Sequence, residues 1–509
     1  MSAIDRSSTV TGTVAVVGTG TMGQGIAQVA LVAGHPVRLY DAAPGRAAEA
    51  AASIAARLDR LVEKGRLTAA DRDAARARLH PARALAELAD AELVIEAVVE
   101  DPAVKQKLFT ELEEFVGDAC LLATNTSSLS VTAVAGALRT PGRFAGLHFF
   151  NPAPLLPLVE VVRGSATDAA AADRAYATVA AWGKTPVRCA DTPGFIVNRV
   201  ARPFYAEAFR VYEERAADPA TIDAALRESG GFKMGPFELT DLIGQDVNEA
   251  VTRSVWESFF HDPKFTPSLA QRRLVESGLH GRKSGRGWYD HGAGATPPAP
   301  HTAEPRRAPR EVTIEGSLGP ADVLRELIEE AGIKVVRDGD PADWKGRIEL
   351  PGGALLRLSD GGAASDDESG TYIHFDLSLD YRAATRIVLA PADSAAPEDV
   401  DEAIGLFQAL GKQVSVIDDV PGMIVVRTVA MIVDFALDAV ARGVAGPEDV
   451  DTAMRLGVNY PGGPLEWAGR LGATWLECVL DALHYAYPTG RYGASPALRR
   501  RAAAERKVL

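Results

Sequence analysis

Two residues, His148 and Glu160, carry the side chains of a proton-transfer unit and stand twelve positions apart. A chain that leaves one strand at His148, turns over Pro152 and Pro154, and enters the next strand at 158–162 brings these side chains together. A carboxylate beside an imidazole fixes its tautomer and stabilises the imidazolium, so the imidazole accepts a proton from a substrate hydroxyl near neutral pH. We therefore predict a general base at His148. A buried structural histidine with an unrelated surface glutamate is the alternative.

A glycine-rich turn near the start of the chain predicts the binding of a dinucleotide. The apolar run 13–17 leads into the turn, and a helical stripe and a second strand, 36–40, follow it. The order of strand, glycine turn, helix and strand is typical of a Rossmann unit, whose glycines let the backbone approach a pyrophosphate at a helix N-terminus. The residues expected to contact the cofactor are Gly18, Gly20, Thr21, Met22 and Gly23.

Asp41 follows the second strand directly and predicts which cofactor the turn binds. An acid at this position accepts hydrogen bonds from the adenosine ribose hydroxyls. Its charge repels a 2′-phosphate, so we expect NAD in preference to NADP. Arg38 and Arg46 nearby keep NADP as the alternative.

Polar residues also follow the next two predicted strands, where ligands of open α/β sheets collect. Glu100 stands at the carboxyl end of the apolar run that begins at Leu93, and Lys105 falls at a helix start after Asp101-Pro102. Ser127 follows the strand 121–124. Its hydroxyl is either a helix N-cap, a role that serine favours, or a group directed into the cleft.

These motifs, with three more farther along the chain, resemble those of the (S)-3-hydroxyacyl-CoA dehydrogenase family from residue 13 to about 290. The quoted segments are 18–23 with Asp41, 94–100, 125–128, 147–152, 191–199 and 234–239. The resemblance implies that His148 is the catalytic base, Glu160 its partner, and Ser127 and Asn198 ligands of the substrate oxygen. It also implies that Asn151 supports the loop, and that Glu100 and Lys105 contact the nicotinamide half of the cofactor.

Lys64 illustrates how the resemblance changes the interpretation of a single residue. Residues 45–80 are rich in Ala, Arg and Glu at helical spacing, so Lys64 reads first as part of a solvated helix face. The resemblance implies instead that Lys64 meets the CoA moiety of an acyl-CoA substrate.

The C-terminal part of the chain repeats the helical part of the first half. Segment 410–427 resembles 182–199, and 460–466 resembles 233–238, but Val426 stands where the first copy has Asn198. His374 precedes Pro421 by nearly the spacing that separates His148 from Pro193, while Arg386 occupies the position twelve residues after it. We therefore expect a degenerate α/β remnant without catalytic function. A duplicated helical domain predicts an intrachain pseudo-dimer, with homo-oligomers still possible.

These observations predict an α/β Rossmann-type NAD-binding domain plus an all-α helical domain, followed by a degenerate α/β insert and a second helical domain. The expected bounds are 1–191 for the NAD-binding domain, 192–290 for the first helical domain, 291–310 for a linker, 311–416 for the insert and 417–509 for the second helical domain. Thr192-Pro-Gly is typical of a helix start, and Pro203 predicts a kink soon after it.

Composition limits the function classes. The 509 residues suggest three or more units, and a net charge of −14 argues against non-specific binding to nucleic acid. The three cysteines have no metal-ligand spacing, and no apolar run is long enough to span a membrane, so we expect no metal and a cytoplasmic protein.

We predict an NAD-dependent dehydrogenase that oxidises (S)-3-hydroxyacyl-CoA reversibly to 3-oxoacyl-CoA. The resemblance favours 3-hydroxybutyryl-CoA or 3-hydroxyadipyl-CoA as substrate, and hence fatty acid metabolism or phenylacetate catabolism. The alternatives are another β-hydroxyacid dehydrogenase and a non-catalytic NAD-binding protein.

Overall fold

The computed structural model describes residues 9–339, 346–367 and 369–507. The chain forms two compact units. Unit 1 contains the described residues up to Arg199 together with Arg442–Val458, and unit 2 contains Val200–Ala441 and the described residues from Asn459 onward.

Unit 1 is built on an eight-stranded sheet with the strand order β3-β2-β1-β4-β5-β6-β7-β8. Neighbouring strands run parallel except β6 and β7, which are antiparallel. The strands are β1 (Thr13–Val17), β2 (Val37–Tyr40), β3 (Leu79–Pro81), β4 (Ala91–Glu96), β5 (Leu121–Thr124), β6 (Phe144–Phe149), β7 (Leu158–Arg163) and β8 (Thr185–Ala190). The β-branched runs of β1 and β4 are buried on both faces, as is usual for parallel strands covered by helices.

The helices of the first 200 residues are α1 (Thr21–Val32), α2 (Arg46–Glu63), α3 (Ala69–Ala77), α4 (Pro102–Leu112), α5 (Val131–Ala135), α6 (Ala169–Ala181) and α7 (Val197–Val200). Apolar side chains of α1, α2 and α6 join those of the sheet in one hydrophobic core. This core fixes the carboxyl ends of β1, β2, β4 and β5, where the polar residues singled out in the sequence are found.

Unit 2 contains a second, seven-stranded sheet with the strand order β10-β9-β11-β12-β13-β14-β15. Its strands are β9 (Glu311–Glu315), β10 (Lys334–Asp338), β11 (Arg347–Glu349), β12 (Leu355–Leu358), β13 (Tyr372–Phe375), β14 (Arg386–Pro391) and β15 (Gln413–Val416). Parallel and antiparallel neighbours are mixed in this sheet. The predicted α/β insert therefore has a sheet of its own.

Most of the remaining elements after residue 200 are helices of unit 2, and one of the later helices belongs to unit 1. Before the second sheet are α8 (Arg202–Glu213), α9 (Pro219–Glu228), α10 (Pro236–Ile243), α11 (Gln245–Ser258) and α12 (Leu269–Glu276). Within and after the sheet follow α13 (Val323–Glu330), α14 (Pro397–Ala409), α15 (Val425–Ala441), α16 (Pro447–Gly457), α17 (Pro464–Leu471), α18 (Ala473–Ala486) and α19 (Pro496–Glu505). Of these, α16 lies in unit 1. None of the helices among the described residues combines the length and apolar character that a bilayer crossing needs.

The predicted fold class is confirmed, and one predicted helix start is wrong. The first helical residue is Val197 rather than the one after Thr192, because Gly194 and Phe195 have φ angles of 75° and 50° and cannot belong to a right-handed helix. The expected interruption at Pro203 takes the form of a break, since α7 ends at Val200 and α8 begins at Arg202.

A buried ion pair joins helix α8 to the C-terminal segment of unit 2. Arg491, which is 1% exposed, donates from Nε to Oε1 of the fully buried Glu207 at 2.9 Å, and the Tyr492 hydroxyl donates to Glu207 Oε2 at 2.7 Å. The charge of Arg491 lowers the pKa of Glu207 despite the opposing effect of its burial. Removal of Arg491 would leave the buried Glu207 without the cation that contacts it, although Arg210 and Arg427 also lower its pKa.

We predict that Arg491→Met lowers the free energy of unfolding by about 3–5 kcal/mol, because the fully buried Glu207 then loses the cation that hydrogen-bonds to it. Urea unfolding followed by circular dichroism measures the change. Arg272→Met is the control, since Arg272 pairs with Glu276 on the surface and its loss costs less than about 1 kcal/mol. Equal unfolding midpoints for the two variants would contradict the prediction.

Candidate active site

His148 and Glu160 face each other across the one antiparallel strand pair of the first sheet. They are register partners in β6 and β7, and His148 Nδ1 lies 2.6 Å from Glu160 Oε2. Their side chains are almost completely buried, at 7% and 0% exposure. The alternative of an unrelated surface glutamate is therefore wrong, because the reversal over the proline-rich loop brings the two groups into direct contact.

The hydrogen bonds of Glu160 determine the state of the imidazole. Besides His148, the backbone N–H groups of Ile196 and Val197 donate to Glu160 Oε1 at 3.0 and 2.9 Å. A carboxylate accepts hydrogen bonds, so Glu160 acts as the acceptor toward the imidazole as it does toward the two backbone groups. Nδ1 of His148 must therefore carry the hydrogen, and Nε2 keeps a free lone pair with which to accept a proton.

The glycine turn has the geometry that a pyrophosphate needs. A Cβ on Gly23 would lie 1.8 Å from the Gly18 carbonyl oxygen, and one on Gly18 would lie 2.5 Å from that of Ala97, so both positions require glycine for close packing. A Cβ on Gly20 would meet nothing within 4 Å. Helix α1 begins next to it at Thr21, with Met22 half-buried behind, and no side chain caps its first N–H groups. The turn is open where an anion would approach.

Asp41 lies at the edge of a cavity of about 730 Å³ beside this turn. Its Oδ2 accepts hydrogen bonds from the Thr19 backbone at 3.0 Å and the Thr19 hydroxyl at 2.6 Å. Partial burial acts to raise the pKa of Asp41, but these bonds, with one from the Ala43 backbone, lower it below the ordinary value. An ionised carboxylate therefore stands beside a space bounded by apolar residues of the loop after β4 and of α4, which include Ala97, Val98 and Leu108.

Lys105 is buried between two carboxylates. Its ammonium lies 2.6 Å from Glu96 Oε1 and 3.2 Å from Glu100 Oε2, and the side chains of Lys105 and Glu96 are 1% and 0% exposed. The prediction that Glu100 ends the strand is wrong, since β4 ends at Glu96 and Glu100 lies in the loop beyond. Sequence reasoning missed Glu96; an acid that ends an otherwise apolar strand was the signal available.

Glu100 organises the polar segment that follows β5. Its Oε1 accepts hydrogen bonds from the Thr126 hydroxyl at 2.5 Å and the backbones of Ser127 and Ser128 at 2.9 and 3.1 Å. Burial opposes its ionisation, but Lys105 and these donors lower the pKa of Glu100. The network thus holds a negative charge at the carboxyl ends of β4 and β5.

Ser127 does not cap a helix. The N-cap of α5 is Ser130, whose hydroxyl accepts from the Ala133 backbone, so the N-cap interpretation of Ser127 is wrong. The Ser127 carbonyl accepts a hydrogen bond from Asn198 Nδ2 at 3.3 Å. The structure thus joins two of the residues expected around the substrate oxygen.

Asn151 and Lys64 are not joined to the pair of His148 and Glu160. Asn151 is exposed in the loop after β6 and precedes a cis peptide bond to Pro152. Lys64 is exposed immediately beyond the end of α2. Within the described residues, neither side chain hydrogen-bonds to His148 or Glu160.

The second sheet holds a histidine without a carboxylate partner. His374 in β13 has Ala390 as its register partner. Arg386 instead pairs with Glu228, with 3.0 Å between Arg386 Nε and Glu228 Oε2. Burial and the charge of Arg357 lower the pKa of His374 to about 4. Among the described residues no group of three His, Cys, Asp or Glu side chains is arranged to hold a metal ion.

Comparison with known families gives three matches along the chain. Residues 13–192 match the family described as "3-hydroxyacyl-CoA dehydrogenase, NAD binding domain". Residues 194–291 and 422–508 both match "3-hydroxyacyl-CoA dehydrogenase, C-terminal domain". Residues 356–421 match "3-hydroxybutyryl-CoA dehydrogenase reduced Rossmann-fold domain".

Individual relatives cover the chain to different extents. The 3-hydroxyadipyl-CoA dehydrogenase of Escherichia coli K12 is 44% identical over 97% of this chain and 98% of the relative. A crystal structure of 3-hydroxybutyryl-CoA dehydrogenase from the same organism matches with a TM-score of 0.89 and 43% identity, covering 98% of this chain and all of that one. A 3-hydroxybutyryl-CoA dehydrogenase of Mycobacterium tuberculosis is 42% identical over 55% of this chain and 98% of its own length.

We predict that Lys105→Met destabilises the protein by about 3–5 kcal/mol at pH 7, because the fully buried Glu96 then loses its cation, as does the part-exposed Glu100 beside it. Since Lys105 lowers the pKa of Glu100, its contribution is complete above the unfolded pKa of about 4.3 and is lost as the pH falls below it. The deficit measured by urea unfolding should therefore shrink at pH 3.5. Lys107→Met, an exposed neighbour, should show no such deficit at either pH.

Proposed function

From the membership of this chain in the 3-hydroxyacyl-CoA dehydrogenase family, we propose that it oxidises (S)-3-hydroxyacyl-CoA thioesters to 3-oxoacyl-CoA with NAD, and that His148 is the general base. The observation that carries the proposal is the buried contact between His148 Nδ1 and Glu160 Oε2 at 2.6 Å, which leaves Nε2 ready to accept a proton. The family match assigns an NAD-type binding domain, and NAD rather than NADP is our choice within it.

In the proposed reaction His148 removes the proton of the 3-hydroxyl group, and the electron pair of that O–H bond forms the carbonyl. NAD, when bound, supplies the acceptor for the hydride that leaves C3. Glu160 stabilises the imidazolium that results, since its negative charge is fixed against Nδ1. Ser127 and Asn198, joined by a hydrogen bond, hold the substrate oxygen. In the reverse direction the imidazolium returns the proton.

The cofactor is proposed to lie along the carboxyl ends of β1, β2 and β4. The exposed N–H groups at Gly20 and Thr21 hold the pyrophosphate, and Asp41 accepts from the adenosine ribose. Glu100 and Lys105 belong to the nicotinamide half. The open space at Gly20 and the ionised Asp41 support this fit.

The substrate is proposed to be a short 3-hydroxyacyl-CoA, with 3-hydroxyadipyl-CoA or 3-hydroxybutyryl-CoA as the candidates. The names of the relatives support these two. Lys64, an exposed cation at the end of α2, is proposed to meet the CoA moiety, and Asn151 to support the loop after β6. The division of the chain at residues 191, 290, 310 and 416 and the cytoplasmic location stay predictions.

We predict that His148→Gln lowers kcat about 10²- to 10⁴-fold, the usual contribution of a general base, with little change in the affinity for NADH. Stopped-flow or steady-state formation of NADH from 3-hydroxybutyryl-CoA measures kcat, and quenching of protein fluorescence measures NADH affinity. His374→Gln is the matched control, because among the described residues the second-sheet histidine hydrogen-bonds to Arg357 and to no carboxylate, and its loss should leave kcat unchanged. Near-normal turnover of His148→Gln would rule out the proposed base.

The preference for NAD provides a second prediction. With Asp41→Ser the KM for NAD should rise about 10- to 100-fold, the effect of losing hydrogen bonds to a charged acceptor, while the KM for NADP should not rise.

The same assay with 3-hydroxybutyryl-CoA and 3-hydroxyadipyl-CoA decides the substrate by kcat/KM. Absence of turnover with both would refute the proposed activity.

A further inference from the structure

A segment of the second match to the C-terminal domain belongs to the unit that contains the catalytic pair. Residues Arg442–Val458, which include α16, cluster with the first sheet and not with the helices on either side of them. The segment covers the open edge of β8. The Ala190 backbone donates to the Val444 carbonyl at 2.7 Å, and that of Arg188 donates to Asp449 Oδ2 at 3.3 Å. An edge strand next to β7 is thereby closed.

Helix α16 ends at Gly457, next to side chains that surround His148 and Glu160. A Cβ at this position would lie 2.7 Å from Leu158 Cδ2, 3.0 Å from Val197 Cγ2 and 3.7 Å from Phe150 Cε1. The helix backbone thus approaches these three side chains as closely as a residue without a side chain allows. Packing this tight fixes the positions of the side chains it touches.

Each of these three residues contacts His148 or Glu160 or lies in the same strand as one of them. Phe150 packs on the His148 ring, with 4.5 Å between the ring centroids. The Val197 backbone donates to Glu160 at 2.9 Å. Leu158 begins β7, the strand that carries Glu160. The three side chains nearest to a Cβ at Gly457 therefore support both members of the pair, and neither member is among them.

The corresponding segment of the first match makes the same kind of contact with the second sheet. In unit 2, the Asp418 backbone after β15 donates to the Ala216 carbonyl at 3.0 Å, and the Ser229 hydroxyl donates to the Arg386 carbonyl at 2.7 Å. The segment that covers the edge of each sheet is thus supplied by the other half of the chain. Because each helical copy supplies a segment to the sheet of the other copy, α16 lies in unit 1.

We infer that Gly457 is a positioning residue: the second helical copy supplies α16 to hold Phe150, Leu158 and Val197 and, through them, His148 and Glu160. This inference rests on the proposed function of the pair. It gives the second copy a direct role in the reaction, although its own position 426 has lost the asparagine.

The test is Gly457→Ala in the full-length protein. The added methyl group pushes on Leu158 and Val197, and a displacement of the pair by a fraction of an ångström is expected to lower kcat at least about tenfold. The KM for NAD and the affinity for NADH should not change, because the glycine turn is not touched. Gly446→Ala is the matched control, since a Cβ there meets nothing within 4 Å, and its kcat should equal that of the wild type.

Two further measurements separate positioning from simple loss of folding. Leu158→Val shortens the side chain by one methylene and withdraws the terminal methyl groups, one of which, Cδ2, lies nearest the added Cβ, so the double variant Gly457→Ala/Leu158→Val should recover most of the lost kcat. The proton resonance of His148 Nδ1–H, identified by its loss in His148→Gln, should shift in Gly457→Ala and not in Gly446→Ala.

The resonance also keeps the inference independent of the assay. If no 3-hydroxyacyl-CoA is turned over by the wild type but the resonance shifts, the proposed function fails and the positioning role stands. If Gly457→Ala leaves both kcat and the resonance as in the wild type, the positioning role is overturned. A loss of kcat that Leu158→Val does not restore, with an unshifted resonance, also overturns it.

Discussion

The fully buried carboxylate of Glu160 is the constraint on which the site depends. A charge at this depth is stable only if its lone pairs are satisfied, and its donors come from three places: the His148 ring, and the backbones of Ile196 and Val197. The first donor lies in β6, and the other two lie where the chain enters α7. One carboxylate therefore fixes the imidazole tautomer and the start of the following helix together, so the geometry of the pair and local folding are coupled.

The position of this carboxylate follows from a single reversal in the sheet. In the parallel part, from β3 to β6, side chains at the strand ends meet along one edge, which suits a cofactor but does not pair a base with its partner. Because β7 runs antiparallel to β6, His148 and Glu160 become direct register partners on one face. The proline-rich loop before β7 is what permits the reversal over so short a distance. The proposed cofactor site and the proposed proton-transfer pair thus use two different kinds of strand pairing in one sheet.

Much of this arrangement could be predicted from the sequence, and the failures have physical causes. Apolar runs predicted the strands, and the reversal between His148 and Glu160 followed from proline positions, because both depend on local residues. The helix start at Thr192 was wrong because left-handed backbone at Phe195 leaves no mark in an N-cap pattern. Glu96 was missed because its importance arises from Lys105, which reaches it only in the folded chain. The assignment of α16, a part of the second copy, to unit 1 could not be predicted. It depends on contacts between segments more than 250 residues apart, such as that of Arg188 with Asp449.

A comparison of the two sheets distinguishes the structural role of a buried carboxylate at a helix entry from the chemical role proposed for Glu160. At the entry to α15, Gly422 and Met423 have φ angles of 72° and 48°, as Gly194 and Phe195 do before α7. There Asp376 accepts from the backbones of Ile424 and Val425 at 3.1 and 2.8 Å. This acid comes from the end of β13 and not from the strand opposite, so it satisfies the helix entry and leaves His374 facing Ala390. A carboxylate satisfies the turn in both copies, and in the first copy alone it also lies across from the histidine, where the proposed base requires it.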